Sequence, residues 1–553
     1  VRVDSLRPDF LDALATGIDI MRTRFDFIVV GAGSSGCTLA HRLAQLQPQA
    51  EVLLLEAGSR DWHPMIHVPL GFAFLLGRNS RNWGFQTDPV PQLAGRRLDL
   101  PQGRMLGGTS SLNGMVYVRG QREDFDSWAA AGNAGWSYDE VLPYFRRSEH
   151  YHGRDEAYHG HGGPLQVAAV GEPLPITEAF LEAARRYGLR ANADFNGECQ
   201  RGVGFFDANT LNGRRHSAAR AFLARRVRPP NLTVHTHLQA ASLLWRGNRA
   251  QGIECHHHGR SVSLYADCEI ALSAGVFNTP KLLELSGVGD PARLGALDIP
   301  VVSPLRGVGE NLHDHLNAYV ECAIESERTY YDFVSSWRLL PTLGRWVFAR
   351  KGILRNSAAI AGAFFSTDPA DGRPDAQVHF APSASRLDQR GWMIPIPAIT
   401  AAVCVLQPGS RGHSHVCSRD VSIAPRIQPN YLDTAEDRRR SVRALRILRE
   451  ILSTPPFADH VSGELRPGPA ASSDEELLDY FRSESASVHH CVGTCKMGCD
   501  DRSVVDAQLR VHGVEGLRVA DASIMPTITS GNTHAACVMI GEKAADMISG
   551  RAG

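Results

Sequence analysis

Phe25-Asp26-Phe27-Ile28-Val29-Val30-Gly31-Ala32-Gly33-Ser34-Ser35-Gly36 is the stretch that decides the fold. Its first six residues, β-branched and aromatic, predict a strand that stops at a glycine. A helical pattern follows through Leu39 and Leu43, and residues 51–56 read as a second strand. Strand, glycine turn, helix, strand is a βαβ unit, the opening of a doubly wound parallel sheet. The glycines of the G-x-G-x-x-G allow a tight turn and close approach to a pyrophosphate, whose charge suits the helix N-terminus. Glu56 follows Gly36 by 20 residues, placed to accept from ribose hydroxyls. The unit therefore predicts a dinucleotide site formed by Gly31, Gly33, Ser34, Ser35, Gly36, Glu56 and the adjoining Ala57. It does not distinguish nicotinamide from flavin.

Outward from that unit, the chain has 553 residues, 43% hydrophobic and 21% charged, with a net charge of −1. This excludes intrinsic disorder, and the charge balance argues against a nucleic-acid binder. The length suits a large two-domain α/β enzyme. Only Lys281, Lys351, Lys496 and Lys543 are lysines among 58 basic residues, which reads as genome composition. Eleven scattered cysteines do not form a disulfide framework and point to a reducing compartment, so a cytoplasmic location is expected. No apolar run reaches the ~18 residues of a membrane span. Residues 1–24 form an extension whose acids and arginines do not suit a signal peptide. Its Phe10, Leu11, Leu14, Ile18 and Met21 recur at helical spacing, predicting a helix docked on the body, with peripheral contact to the inner membrane as the alternative.

Further strands are expected at 232–236, 269–273 and 517–520, and an arginine-rich amphipathic helix at 435–452 with its charges solvated. The stretch 316–400 is aromatic and irregular, as either core or a substrate-facing layer would be. His256, His257 and His258 read as a polar loop. Cys491, Cys495 and Cys499 superficially suggest a ligand cluster, but glycines interrupt it and the knuckle spacing is wrong, so no metal is expected.

Gly103-Arg104-Met105-Leu106-Gly107-Gly108-Thr109-Ser110-Ser111-Leu112-Asn113, running on to Tyr117-Val118-Arg119-Gly120, resembles the first signature of the glucose–methanol–choline oxidoreductases. The second is matched by Ser273-Ala274-Gly275-Val276-Phe277-Asn278-Thr279-Pro280, a third block by residues 307–315, and a fourth by 490–547. The resemblance is nearest to choline dehydrogenase-like and bacterial alcohol dehydrogenase members. It implies FAD as cofactor. It also implies a Rossmann-like FAD-binding domain of residues 25–160, 200–315 and 490–550, with a discontinuous substrate domain of 161–199 and 316–489 on an antiparallel sheet. Arg104, Gly107, Gly108, Thr109, Ser110, Asn113, Gly114, Met115, Val116, Ala240, Ala274, Asp521, Ala522, Asn532, Thr533 and His534 are carried over as cofactor contacts. Leu112 stands where some members bond FAD through a histidine, so the FAD is expected to be non-covalent.

Oxidising an alcohol on a flavin needs a base for the hydroxyl proton, and histidine has the right pKa. The resemblance places His490 as that base and His534 as a partner for the substrate oxygen, with Asn532 as the competing neighbour. Choline-oxidising members carry a carboxylate near residues 361–364; here Ile360 and Phe364 fill the region and predict an uncharged substrate. Ile360, Phe364, His489 and Asn532 are the expected substrate contacts. The activity implied is oxidation of a primary alcohol, aromatic or aliphatic, to the aldehyde. Electrons would pass to a quinone-type acceptor or, in an oxidase, to oxygen with release of peroxide. A pyridoxine-type substrate and a non-redox hydroxynitrile lyase are the alternatives. The sequence gives no oligomeric state.

Overall fold

The computed structural model describes residues 22–76, 80–153, 155–169, 171–257, 259–368, 370, 372–387 and 393–550. The helix expected at the N-terminus lies outside them. The opening βαβ unit forms as read: β1 (Arg24–Val30), α1 (Ser34–Leu46) and β2 (Val52–Leu55). All four residues of β2 are buried, as a strand covered on both faces requires. β3 (Leu232–His235) extends the sheet beyond β2, and β6 (Arg260–Leu272) lies on the other side of β1, all parallel. β4 (Gln239–Arg246) and β5 (Arg249–His257) add an antiparallel meander to the first half of β6, and β7 (Leu517–Val519) runs parallel to its end. His256 and His257 thus lie in a strand, not in the expected polar loop.

The C-terminal helix α2 (His534–Ile548) packs on α1 so closely that a Cβ at Gly541 would stand 2.5 Å from Ser35 O. Buried Glu542 on α2 accepts from Arg42 at 2.8 Å and from Arg147 at 2.7 Å, fixing the register. That packing carries the 530–534 turn to the glycine turn 500 residues earlier.

The second sheet is antiparallel. Its strands lie in the order Val461–Arg466, Leu316–Ile324, Ala398–Val405, Ala376–Ala381, Ala361–Phe365, Gly202–Phe205, and Ala486–Ser487 also pairs with Leu316–Ile324. Much of the stretch that reads as irregular in sequence is therefore sheet. The expected boundary at residue 200 shifts, because Gly202–Phe205 pairs with Ala361–Phe365. Alternation decides the faces. Ala318, Val320, Val378, Phe380, Ala401 and Val403 pack under the helices Pro175–Tyr187 and Ala435–Leu452. Their neighbours Asn317, Tyr319, His379, Ala381, Thr400 and Ala402 face a cleft between the two sheets.

Candidate active site

The cleft encloses about 490 Å³ and runs from the glycine turn to His490. At the turn, Gly31 has φ +99°, and a Cβ there would meet Ser273 O at 2.4 Å. Gly33 faces open space, with nothing within 4 Å of a Cβ position. The chain is thus pressed against β6 at one glycine and leaves room for a pyrophosphate at the next. Glu56 accepts from Ala32 N at 3.0 Å and Gly58 N at 2.8 Å, and burial pushes its carboxyl up to about 7 against those donors. His534 Nδ1 is 2.8 Å from Ser34 Oγ, while its buried Nε2 has no protein partner. With Ser34 donating, that Nε2 carries a proton and offers a donor to a phosphate oxygen. The open glycine face and this orphaned donor fit an anionic dinucleotide.

Asp521 also lines the cleft, but its carboxylate is already engaged. It accepts from Gly275 N, Thr279 Oγ1, Ser523 N and Ser523 Oγ at 2.6–2.8 Å, tying the 273–280 segment to the strand end. Arg215, fully buried, holds the 107–113 loop by donating to Ser110 O at 3.2 Å and Asn113 Oδ1 at 2.7 Å. With no carboxylate partner, burial lowers its pKa to about 9.

At the far end, one carbonyl sets the tautomers of two histidines. Leu406 O can only accept, so His315 Nε2, 2.9 Å away, carries a proton. Neutral His315 then presents a lone pair on Nδ1, and His490 Nδ1, at 3.0 Å, must donate to it. Burial lowers His315 to about 4 and holds His490 well below the ordinary histidine range, so both rings are neutral. The His490 Nε2 lone pair accordingly faces the Asn532 amide, whose Nδ2 donates to it at 3.0 Å. The backbone is fixed as firmly: His490 N donates to Asp314 Oδ1 at 2.8 Å, and the other oxygen of that buried carboxylate accepts from Tyr431 and Ser487. His489, in the left-handed region at φ +64°, turns its ring into the cleft wall, and burial lowers its pKa to about 4.

Most expected residues line this one cleft: Gly31, Gly33, Ser34, Ser35, Glu56, Ala57, Gly108, Thr109, Ser110, Asn113, Gly114, Met115, Val116, Ala240, Ala274, Asp521, Ala522, Asn532, Thr533, His534, His489 and His490. Gly36, Arg104 and Gly107 stand behind the wall; Arg104 lies over Trp83, 4.8 Å from its ring centre, and Trp83 lines the cleft instead.

Two expectations need correction. The ring neighbour of His490 is Asn532, whereas His534 bonds to Ser34 at the glycine turn, because α2 begins at His534 and aims it at the N-terminus of α1. Ile360 and Phe364 do not reach the cleft. Phe364 is buried against Phe195 at 4.9 Å between ring centres, and Phe206 covers the same strand. The wall is built instead by three more central strands, on which Tyr319, Ala402 and His379 are register partners. Sequence reading missed Asp314, His315, Arg215 and Gln377. The 313–315 block was in view, but nothing local to it shows that it meets His490.

A dinucleotide turn at the strand ends of a doubly wound sheet, closed by an antiparallel domain, defines a cofactor-dependent α/β enzyme. The chain belongs to the GMC oxidoreductase family: residues 25–317 match its N-terminal domain and 408–541 its C-terminal domain. It is 41% identical to an alcohol dehydrogenase [acceptor] of Pseudomonas putida, with 95% of each chain covered. It is 39% identical to an oxygen-dependent choline dehydrogenase of Sinorhizobium fredii, over 95% of this chain and 96% of the relative. Pyridoxine 4-oxidase from Mesorbium loti superposes with a TM-score of 0.85 at 32% identity, over 94% of this chain and 98% of that one. The protein is an FAD-dependent alcohol oxidoreductase. Among the described residues, no helix is long and apolar enough to cross a membrane.

Proposed function

We propose that the protein oxidises an uncharged primary alcohol, aromatic or aliphatic, to its aldehyde, with His490 as the base. FAD, when bound, supplies the hydride acceptor. His490 Nε2 takes the hydroxyl proton, and the charge this creates on the ring is met at Nδ1 by His315. With the alcohol seated between them, Asn532 Nδ2 donates to its oxygen in place of His490 Nε2 and stabilises that oxygen as negative charge develops. Gln377 Nε2, 3.4 Å from Asn532 Oδ1, favours that orientation of the amide. His534, Ser34 and the glycine turn hold the phosphates, and Glu56 the adenosine ribose. Leu112, at the cleft wall, has no group to bond a flavin, so acid precipitation is expected to release all the yellow colour.

The observation that carries the substrate class is the make-up of the wall. Its only carboxylates among the described residues are Glu56 and Asp521, both at the dinucleotide end. The antiparallel sheet contributes Tyr319, His379, Ala381, Thr400 and Ala402 to the wall, Ala358 and Ala359 line it too, and His379 interacts with His490. A quaternary ammonium buried there would lack a counter-charge, at a cost of several kcal/mol. The alanines leave room for an aromatic ring or an alkyl chain. Tyr319, His379 and Thr400, rather than Ile360, thus make the pocket neutral.

Electrons then pass to a quinone-type acceptor or to oxygen, and the eleven free cysteines accord with a cytoplasmic setting. The test is the visible spectrum of the holoenzyme titrated without air. Benzyl or long-chain alcohols are expected to bleach the flavin band and choline to leave it intact. Bleaching by choline at comparable concentration overturns the neutral pocket; bound flavin that no alcohol bleaches overturns the oxidation itself. The return of colour in air separates oxidase from dehydrogenase.

A further inference from the structure

The helix Leu339–Ala349, entered through the turn Ser336–Arg338, turns a row of large apolar side chains outward. Trp337 is 71% exposed, Leu340 72% and Phe348 90%, with Val347 beside them. Leu340 and Val347 are seven residues, about two turns, apart, and Trp337 and Phe348 flank them on the side away from Trp346, so the four form one stripe. Its other face is anchored, with Trp346 buried against Val68 and Leu354 and donating to Gly213 O at 2.8 Å. The exposed stripe is therefore held in place by packing.

Where the helix ends, Arg350 stacks on Trp346 at 4.3 Å and turns into a pocket shared with Arg214, Arg215, Arg220, Arg225 and Arg226. Among the described residues no carboxylate lines this pocket. Asp61 interacts with Arg220 of its lining. Three guanidinium nitrogens around it are buried without a partner: Arg214 Nε, Arg215 Nη2 and Arg350 Nη1. Arg215 is buried and donates to Ser110 O and Asn113 Oδ1, whereas Arg225 and Arg226 in the same lining are exposed. A pocket lined by guanidiniums without a carboxylate among them suits phosphate oxygens.

We propose that this face docks on an anionic phospholipid bilayer, with Trp337, Leu340, Val347 and Phe348 among the acyl chains and a lipid phosphate in the arginine pocket. An apolar stripe bordered by cations, with tryptophan at its edge, is the pattern of an interfacial helix. The helix packs through Val68, Met65 and Leu70 on the segment that continues to Phe72 and Leu76 of the cleft wall. Docking would thus set the bilayer one layer outside the site that takes the alcohol. The inference stands on the surface alone and does not depend on the substrate class.

The test is sedimentation of the holoenzyme with vesicles of neutral phosphatidylcholine, with or without about 30 mol% phosphatidylglycerol. Binding is expected to be at least about tenfold tighter to the anionic vesicles and to weaken with salt. The double variant Leu340→Ser/Phe348→Ser should lose binding to both, with its flavin spectrum unchanged. Arg225→Gln/Arg226→Gln, at exposed positions, should lose about fivefold per arginine on anionic vesicles only. Absence of binding overturns the proposal. So does binding that both variants retain, which would place the contact elsewhere, or a dimer that Leu340→Ser/Phe348→Ser dissociates.

Discussion

The two ends of the cleft are built by different means. At the dinucleotide end, the backbone turn lies within a dozen consecutive residues, with Gly31 where a side chain would collide, and side chains such as Glu56 and His534 complete it. At the alcohol end, side chains make it, and they come from far apart. His490 takes its protonation from His315, 175 residues away, and its donor from Asn532, 42 residues away. The first kind of site is tolerant of its surroundings and intolerant of its own sequence. The second is set by which strands lie side by side.

This contrast can be broken most forcefully at Gly31. Gly31→Val is expected to cost about 4 kcal/mol or more, because the new Cβ overlaps Ser273 O in a left-handed conformation. The purified variant should retain little FAD after gel filtration and unfold at lower temperature. A second comparison separates Asn532 from His534. Asn532→Ala should slow flavin reduction about 100-fold, the usual worth of a donor to a developing oxyanion, with FAD retained. His534→Ala should instead weaken FAD about tenfold, as loss of a hydrogen bond to a charged group does, and leave the loaded enzyme close to wild type in reduction. The reverse pattern would mean that the two ends have been exchanged.

A finer test concerns His315, a positioning residue that touches neither substrate nor cofactor in this account. His315→Ala should lower kcat about tenfold with KM little changed. His315→Asn, which can return an acceptor to the Nδ1 position, should recover much of it, a rescue that a merely structural role would not give. The smallest effect is expected at Ile360. Ile360→Val should cost about 0.5–1.5 kcal/mol of stability and change the rate on any alcohol by less than about twofold, since the side chain lies behind the wall.

The same contrast explains what could be read in advance. The strand ending at Val30, the glycine turn, the strand ending at Leu55 and the helix Ala435–Leu452 depend on local pattern, and all are found. The cofactor was legible through resemblance, and so was the place of His490 in the cleft wall. His534 was expected beside His490 with Asn532 as the competing neighbour, and two residues along the turn decide between them: Asn532 meets His490, whereas His534 opens a helix aimed at Ser34. Ile360 and Phe364 were misplaced because their strand lies one place from the sheet edge, where Phe195 and Phe206 cover it. Tyr319 and His379 could not be found from spacing, since an alternating strand tells which residues share a face but not which face meets the cofactor. His315 was quoted within its block, yet its contact with His490 is a fact of tertiary packing alone.

Proton removal by His490 Nε2, kept unprotonated by the chain of contacts from Leu406, can be read from stopped-flow reduction of the bound flavin in His490→Ala, without air, using the alcohol that bleaches the wild type fastest. The expected result is an intact flavin spectrum and a reduction rate lower by about 10²- to 10⁴-fold. Reduction within a few-fold of wild type, with FAD fully bound, would contradict it.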